Sequence, residues 1–142
     1  MANAIYPLWK QALMRQAPVD KTLDQGDIDP LKGVYVSLVD VDGGYTYQAS
    51  HEFYSSITNV QGTPQLITTG VVNGRVFSGD TVVYSNVTGT KIGAIVLARQ
   101  NGGLSDTWRL VLYEDTGIVG LPMIPSGGNI IVSWNIQGIF GL

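Results

Sequence analysis

The sequence contains no cysteine, which removes disulfide scaffolds, thiolate zinc sites and cysteine nucleophiles together. It holds one histidine, His51, so any imidazole chemistry must be built around a single residue. Charged residues make up only 13% of the chain, about half the usual share for a globular domain. Eight Lys plus Arg against 11 Asp plus Glu leave a formal net charge of -3. With no basic run there is no electrostatic footprint for phosphates or anionic lipid, so neither a nucleic-acid nor a membrane-surface partner is expected. No stretch approaches roughly 18 consecutive apolar residues, and Met1-Ala2-Asn3-Ala4 has neither the basic nor the apolar region of a signal peptide. The expectation is a soluble chain made in the cytoplasm.

What is present is hydrophobic and rich in turns. The 142 residues are 44% hydrophobic and include 18 glycines, a length that suits one domain at about 150 residues each. Such a domain buries roughly 70% of its unfolded surface and needs no metal or cross-link to fold. The organisation changes once, ahead of Gly33. From Asn3 to Gln16 the apolar residues Ile5, Leu8, Trp9, Ala12, Leu13 and Met14 recur at three- and four-residue steps, the stripe of an amphipathic helix. Asn3 is its expected N-cap, Pro7 fits a first turn, and Pro18 closes it. Residues 19–30 hold Asp20, Asp24, Asp27 and Asp29 among small and polar residues, reading as an extended, solvated connector. Residues 1–32 are thus expected to form a helical arm with an acidic connector, and residues 33–142 a β-sandwich domain.

Beyond Gly33 the hydrophobic period falls to two. Residues 33–41 (GVYVSLVDV), 65–72 (QLITTGVV), 80–87 (DTVVYSNV), 91–99 (KIGAIVLAR), 107–115 (TWRLVLYED) and 129–135 (NIIVSWN) are short and rich in β-branched and aromatic residues. Residues 74–77 and 138–142 are two shorter candidates. Strands arriving about every ten residues between Gly and Asn turns predict a mainly β fold, an antiparallel jelly-roll-like sandwich. One insertion breaks the rhythm: Ser50 to Ile57 carries a capping residue, an early Glu52 and a four-residue spacing of Phe53 and Ile57, predicting a short helix.

Residues that could carry chemistry do not assemble into a motif. His51 lacks a recognisable nucleophile and carboxylate around it, and reads as a surface or cap residue against Tyr47 or Tyr54. Asp40 and Asp42 resemble the start of a calcium loop, but the third acidic ligand is missing and His51 stands where the bidentate Glu would fall. Solvated turns account for them. Tyr45, Tyr47, Trp108, Tyr113 and Trp134 could form an aromatic platform for a sugar, or fill cross-strand positions as such residues commonly do. No catalytic residue, metal ligand or cofactor is expected. A helix stripe, a charge-poor β domain and an apolar end with Ile139 and Phe140 suit a surface finished by neighbouring subunits. The expected protein-contact residues are Ile5, Leu8, Trp9, Leu13, Met14, Ile139 and Phe140.

Three stretches together resemble a family of small virion structural proteins of tailed bacteriophages. They are Met1 to Lys10 leading into Val36-Ser37-Leu38-Val39-Asp40; Tyr45-Thr46-Tyr47 with Ser50-His51-Glu52-Phe53 and Ile57; and Leu110 to Gly117 with Gly120-Leu121-Pro122, Pro125 to Ile130, Trp134-Asn135 and Ile139-Phe140. The resemblance spans nearly the whole chain and departs from the family in the longer connector at residues 19–30. It implies a capsid decoration or cement protein on the head surface of the virion, with the major capsid protein as partner and a homotrimer as the favoured oligomer. The alternatives are a tail or neck component, such as an adaptor or fibre-base module, and a carbohydrate-binding β-sandwich.

Overall fold

The computed structural model describes residues 3–15, 23, 33–118, 120–134 and 138–141. The chain is mainly β, with antiparallel sheets and, among the described residues, one α-helix. Ten strands occur among the described residues: β1 (Ala4–Ile5), β2 (Val34–Val39), β3 (Val60–Leu66), β4 (Val71–Asn73), β5 (Val76–Ser78), β6 (Val82–Tyr84), β7 (Ala94–Arg99), β8 (Arg109–Glu114), β9 (Ile130–Val132) and β10 (Phe140–Gly141). The helix α1 spans Pro7–Met14. Strands β1, β8, β7, β2 and β3 form one sheet in that order; β10, β5 and β4 form a second, and β6 with β9 a third.

The core follows from the apolar runs. Every residue of β7 (AIVLAR) is buried, as a central strand covered on both faces requires. Its neighbours β2 and β8 pair with it along their whole lengths, from Val34 opposite Arg99 to Val39 opposite Ala94, and from Ile95 opposite Glu114 to Arg99 opposite Arg109. One continuous cluster joins these strands to Phe77, Val82, Tyr84 and Val132 of the smaller sheets. Where the pairing of β2 with β3 shifts register after Val36, the buried Tyr84 hydroxyl donates to the Val36 carbonyl. A buried carbonyl at a ladder irregularity thereby keeps a partner.

Four sequence expectations are corrected. The helix starts at Pro7 rather than Asn3, because residues 4–5 are extended and pair with Leu112 and Tyr113. Asn3 caps nothing; its Oδ1 accepts from the amides of Asp115 (2.9 Å) and Thr116 (3.1 Å) and clamps the turn beyond β8. The helix expected at residues 50–57 is a single 3₁₀ turn, Tyr54–Ser56. The backbone before it is held extended by β8: Leu110 N–H donates to Glu52 O (2.9 Å), Tyr54 N–H donates to Trp108 O (2.8 Å), and Phe53 bridges Arg109. Finally, the segment at residues 65–72 is split. It is the end of β3, a turn at Thr69 with φ of 51°, and the start of β4.

Residues 3–15 do not form an arm apart from the β domain. Tyr6 is fully buried and Trp9 is 1% exposed, both inside the cluster formed by the sheets. Tyr6 N–H donates to Val111 O at 3.0 Å, continuing the ladder of β1 on β8 into the helix. Of the acidic connector only Leu23 is described, and it is buried; the four aspartates lie outside the described residues.

Candidate functional site

The five-stranded sheet has two unlike faces, and its register says which residues share each. Residues opposite one another across a ladder point the same way, and neighbours along a strand point to opposite sides. Ser37, Val96 and Tyr113 are therefore on one face, Val36, Leu97 and Leu112 on the other. The second face is aliphatic along its middle, with Arg99 and Glu114 at its ends. The first is covered by rings.

Tyr113 lies 6.2 Å from Tyr45 and 5.4 Å from Tyr47, and Tyr47 lies 5.1 Å from Tyr6, all as tilted pairs. Farther along, Tyr35 meets Trp108 at 4.7 Å, and Tyr54 hydrogen-bonds Ser37 at 2.7 Å. The loop after β2 delivers Tyr45 through a turn at Asp40, whose carboxylate accepts from the Asp42 amide at 2.8 Å and whose carbonyl accepts from the Tyr45 amide at 2.8 Å. Hydrogen bonds from Thr90 and from the Asp42 amide hold the Asp40 carboxyl below its ordinary pKa. Lys91 pairs with Asp42 at 2.7 Å.

Inside this layer runs a chain of three polar groups. The Tyr6 and Tyr45 hydroxyls are 2.7 Å apart, and the Tyr45 hydroxyl is 2.7 Å from His51 Nδ1. Tyr6 and Tyr45 are buried while His51 is half-buried, so the chain leads from the interior outward. Burial raises the pKa of Tyr6, reinforced by its hydrogen bond to Tyr45, and pushes Tyr45 up to about 12. Burial lowers that of His51. All three are thus neutral near pH 7, and the assignment that fills both links has His51 Nδ1 accepting from Tyr45 with the ring proton on Nε2. A shallow cleft of about 270 Å³ opens beside them, lined by Val41, Tyr45, Thr46, Tyr47, Tyr113 and Asp115.

This arrangement orders hydroxyls; it does not assemble a nucleophile, base and orienting acid. Among the described residues no group of three His, Cys, Asp or Glu side chains could hold a metal ion, and no helix is long and apolar enough to cross a membrane. Tyr45 and Tyr113 are buried and Tyr47, Trp108 and Trp134 half-buried, so these five rings do not form the exposed row that a sugar platform requires. The Trp134 indole instead donates to the Asp80 carbonyl at 2.9 Å.

The residues expected at a protein contact are dispersed. Trp9 is sealed in the chain's own core, a correction to its expected place in a partner's groove. Ile5 is half-buried in β1, and Leu8 lines a small cleft with Glu52 and Arg109. Leu13 and Met14 line a shallow apolar groove with Pro7 and Lys10, and Met14 is 80% exposed. Ile139 and Phe140 join β5 within the chain: Ile139 N–H donates to Phe77 O at 2.7 Å, and the Phe140 and Phe77 rings are 5.8 Å apart. Sequence reasoning missed a different surface. In β6 and β9 Val83 stands opposite Ile131, exposed at 46% and 59%, while their strand neighbours are buried. Alternation in residues 80–87 and 129–135 marked both strands but not which apolar residue would face outward.

No family model matches the chain, and no curated protein or solved structure matches it either.

Proposed function

We propose that this chain is a non-enzymatic structural protein of a tailed-bacteriophage virion, a capsid decoration or cement protein bound to the outer face of the head shell. The observation that supports this reading best is the outward aliphatic pair on β6 and β9. Val83 and Ile131 oppose one another in register; in the other small sheet Val71 and Val72, on opposite sides of β4, are also exposed, at 48% and 45%. In a chain with so few charges, exposed aliphatic strands mark a surface made for contact. The resemblance read from the sequence points the same way.

Packaged DNA strains the head lattice outward. A protein that binds the assembled shell stabilises it through linkage to its own binding free energy. Presentation as a trimer multiplies that effect by multivalency. The role needs no cofactor, and the major capsid protein is the partner.

The test is to mix the purified protein with heads stripped of their decoration protein, with light scattering of the free protein to set its oligomeric state. Saturable binding that raises the heat resistance of the heads is the expected result. Absence of binding, or density for the chain in the tail or neck of an intact particle, overturns the proposal.

A further inference from the structure

We propose that protonation of His51 loosens the closure of residues 4–14 on the five-stranded sheet, acting through the hydroxyls of Tyr45 and Tyr6. The argument is a count of hydrogens. Three polar atoms, Tyr6 Oη, Tyr45 Oη and His51 Nδ1, are joined by two links of 2.7 Å. With His51 neutral and its proton on Nε2, the two hydroxyl hydrogens fill the two links. A proton added at Nδ1 makes three hydrogens for two links, so one must point at nothing. Tyr6 is 0% exposed and Tyr45 2%, and an unsatisfied donor there is opposed by its full desolvation cost.

The cost falls on one part of the fold. Tyr6 lies between β1 and α1, its amide donates to Val111 O, and its carbonyl accepts from the amides of Trp9 (3.0 Å) and Lys10 (3.3 Å). Movement of Tyr6 away from Tyr45 therefore disturbs both elements, whereas β2 and β7 hold one another independently. Opening this segment to water gives the surplus hydrogen a partner.

The surrounding ionisable groups do not offset the proton. On the His51 segment, Glu52 is ion-paired with Arg109 of β8 at 2.7 Å. From the sheet, Tyr113 beside Tyr45 donates to Asp115 at 3.2 Å. From the loop after β2, Tyr47 is raised by burial and stays neutral. Among the described residues the hydrogen bond of the His51 ring goes to Tyr45. Closure is therefore complete above the ordinary imidazole value of 6.5 and weakens as pH falls toward the lowered value in the fold.

The experiment is amide hydrogen exchange of the full chain by NMR at about pH 7.5 and about pH 5, on either side of the imidazole transition, with rates corrected for intrinsic exchange. Protection of Tyr6 and Lys10 should fall by up to about tenfold for each unit between the ordinary and lowered pKa. Since the unfolded chain also carries the ordinary imidazole pKa, protection of Val96 falls with it, and locality is read from urea: exchange of Tyr6 should depend on urea less steeply than exchange of Val96, while His51→Gln should leave both sets of amides flat with pH. Equal protection of Tyr6 at both pH values, a urea dependence of Tyr6 exchange as steep as that of Val96, or a loss that persists in His51→Gln overturns the proposal. Should the variant fail to fold, titration of the His51 ring in the wild-type chain decides: a pKa at or above 6.5 overturns it.

Discussion

The two faces of the five-stranded sheet are built from different chemistry on the same three strands. On one, Val34, Val36, Leu38, Ile95, Leu97 and Leu112 are all 3% exposed or less and offer nothing but shape and apolar area. On the other, Tyr35, Ser37 and Tyr113 meet rings that arrive from the loop after β2, the 3₁₀ turn and the approach to β8, and hydroxyls tie the layers together. The aliphatic face can repack with any side chain of the right volume. The aromatic face is directional, because each hydroxyl must find its partner. Stability therefore resides on both faces, and directional hydroxyl bonding on one.

Trp9→Ala should show the largest effect. Removing a ring that is 1% exposed should lower unfolding stability by about 3–5 kcal/mol in urea titrations. An unchanged midpoint would mean that α1 is dispensable to the core. On the aliphatic face Leu97→Ala should cost about 3 kcal/mol, while Leu97→Met costs less than about 1.5. If Leu97→Met were as damaging as Leu97→Ala, the contrast in tolerance between the faces would fail.

Tyr6→Phe keeps the ring and removes one link, for an expected loss of about 1 kcal/mol, and it tests whether the aromatic face depends on hydroxyls or on rings alone. The pH response separates the faces next. Glu114, opposite Ile95 and hence on the aliphatic side, is pushed by burial up to about 7. A raised carboxyl favours the fold fully below its ordinary value of 4.5 and loses that contribution as pH rises through about 7. His51 has the opposite sign. Glu114→Gln should remove the fall in thermal midpoint as pH rises from 4.5 to about 7, and His51→Gln the fall as pH drops below 6.5. A common response of both variants would merge the two faces into one titrating unit. Smallest of all, Val83→Thr and Ile131→Thr should each change stability by no more than about 0.5 kcal/mol, while weakening attachment to heads if that surface makes the contact.

The central strands were legible because a buried strand needs a run such as KIGAIVLAR, and little else in a β protein produces one. The turn at Asp40 and Asp42 was legible too, since its hydrogen bond spans two residues. Strand β3 was missed because Gly62 and Pro64 argue against a strand, yet β3 is an edge where a missing N–H is tolerated and where Gly62 adopts φ of 72°. The stripe of Ile5, Trp9 and Leu13 showed that a surface would be buried and could not show against what. That answer rests on pairing with Leu112 and Tyr113, which no local pattern encodes. The Tyr6–Tyr45–His51 chain was hidden for the same reason: it joins three segments that only the sheet brings together.

The clamp of Asn3 on the turn at Thr116 spans 113 residues of chain, and this sets an order of events during synthesis. At roughly 5–20 residues per second, β1 and α1 leave the ribosome several seconds before the strand that receives them exists. Through that interval Tyr6 and Trp9 have no native partner, and contacts of this sequence separation are the slowest to close. The segment that closes on β8 is thus the one exposed longest to chaperones and to other nascent copies before its partner strand is made.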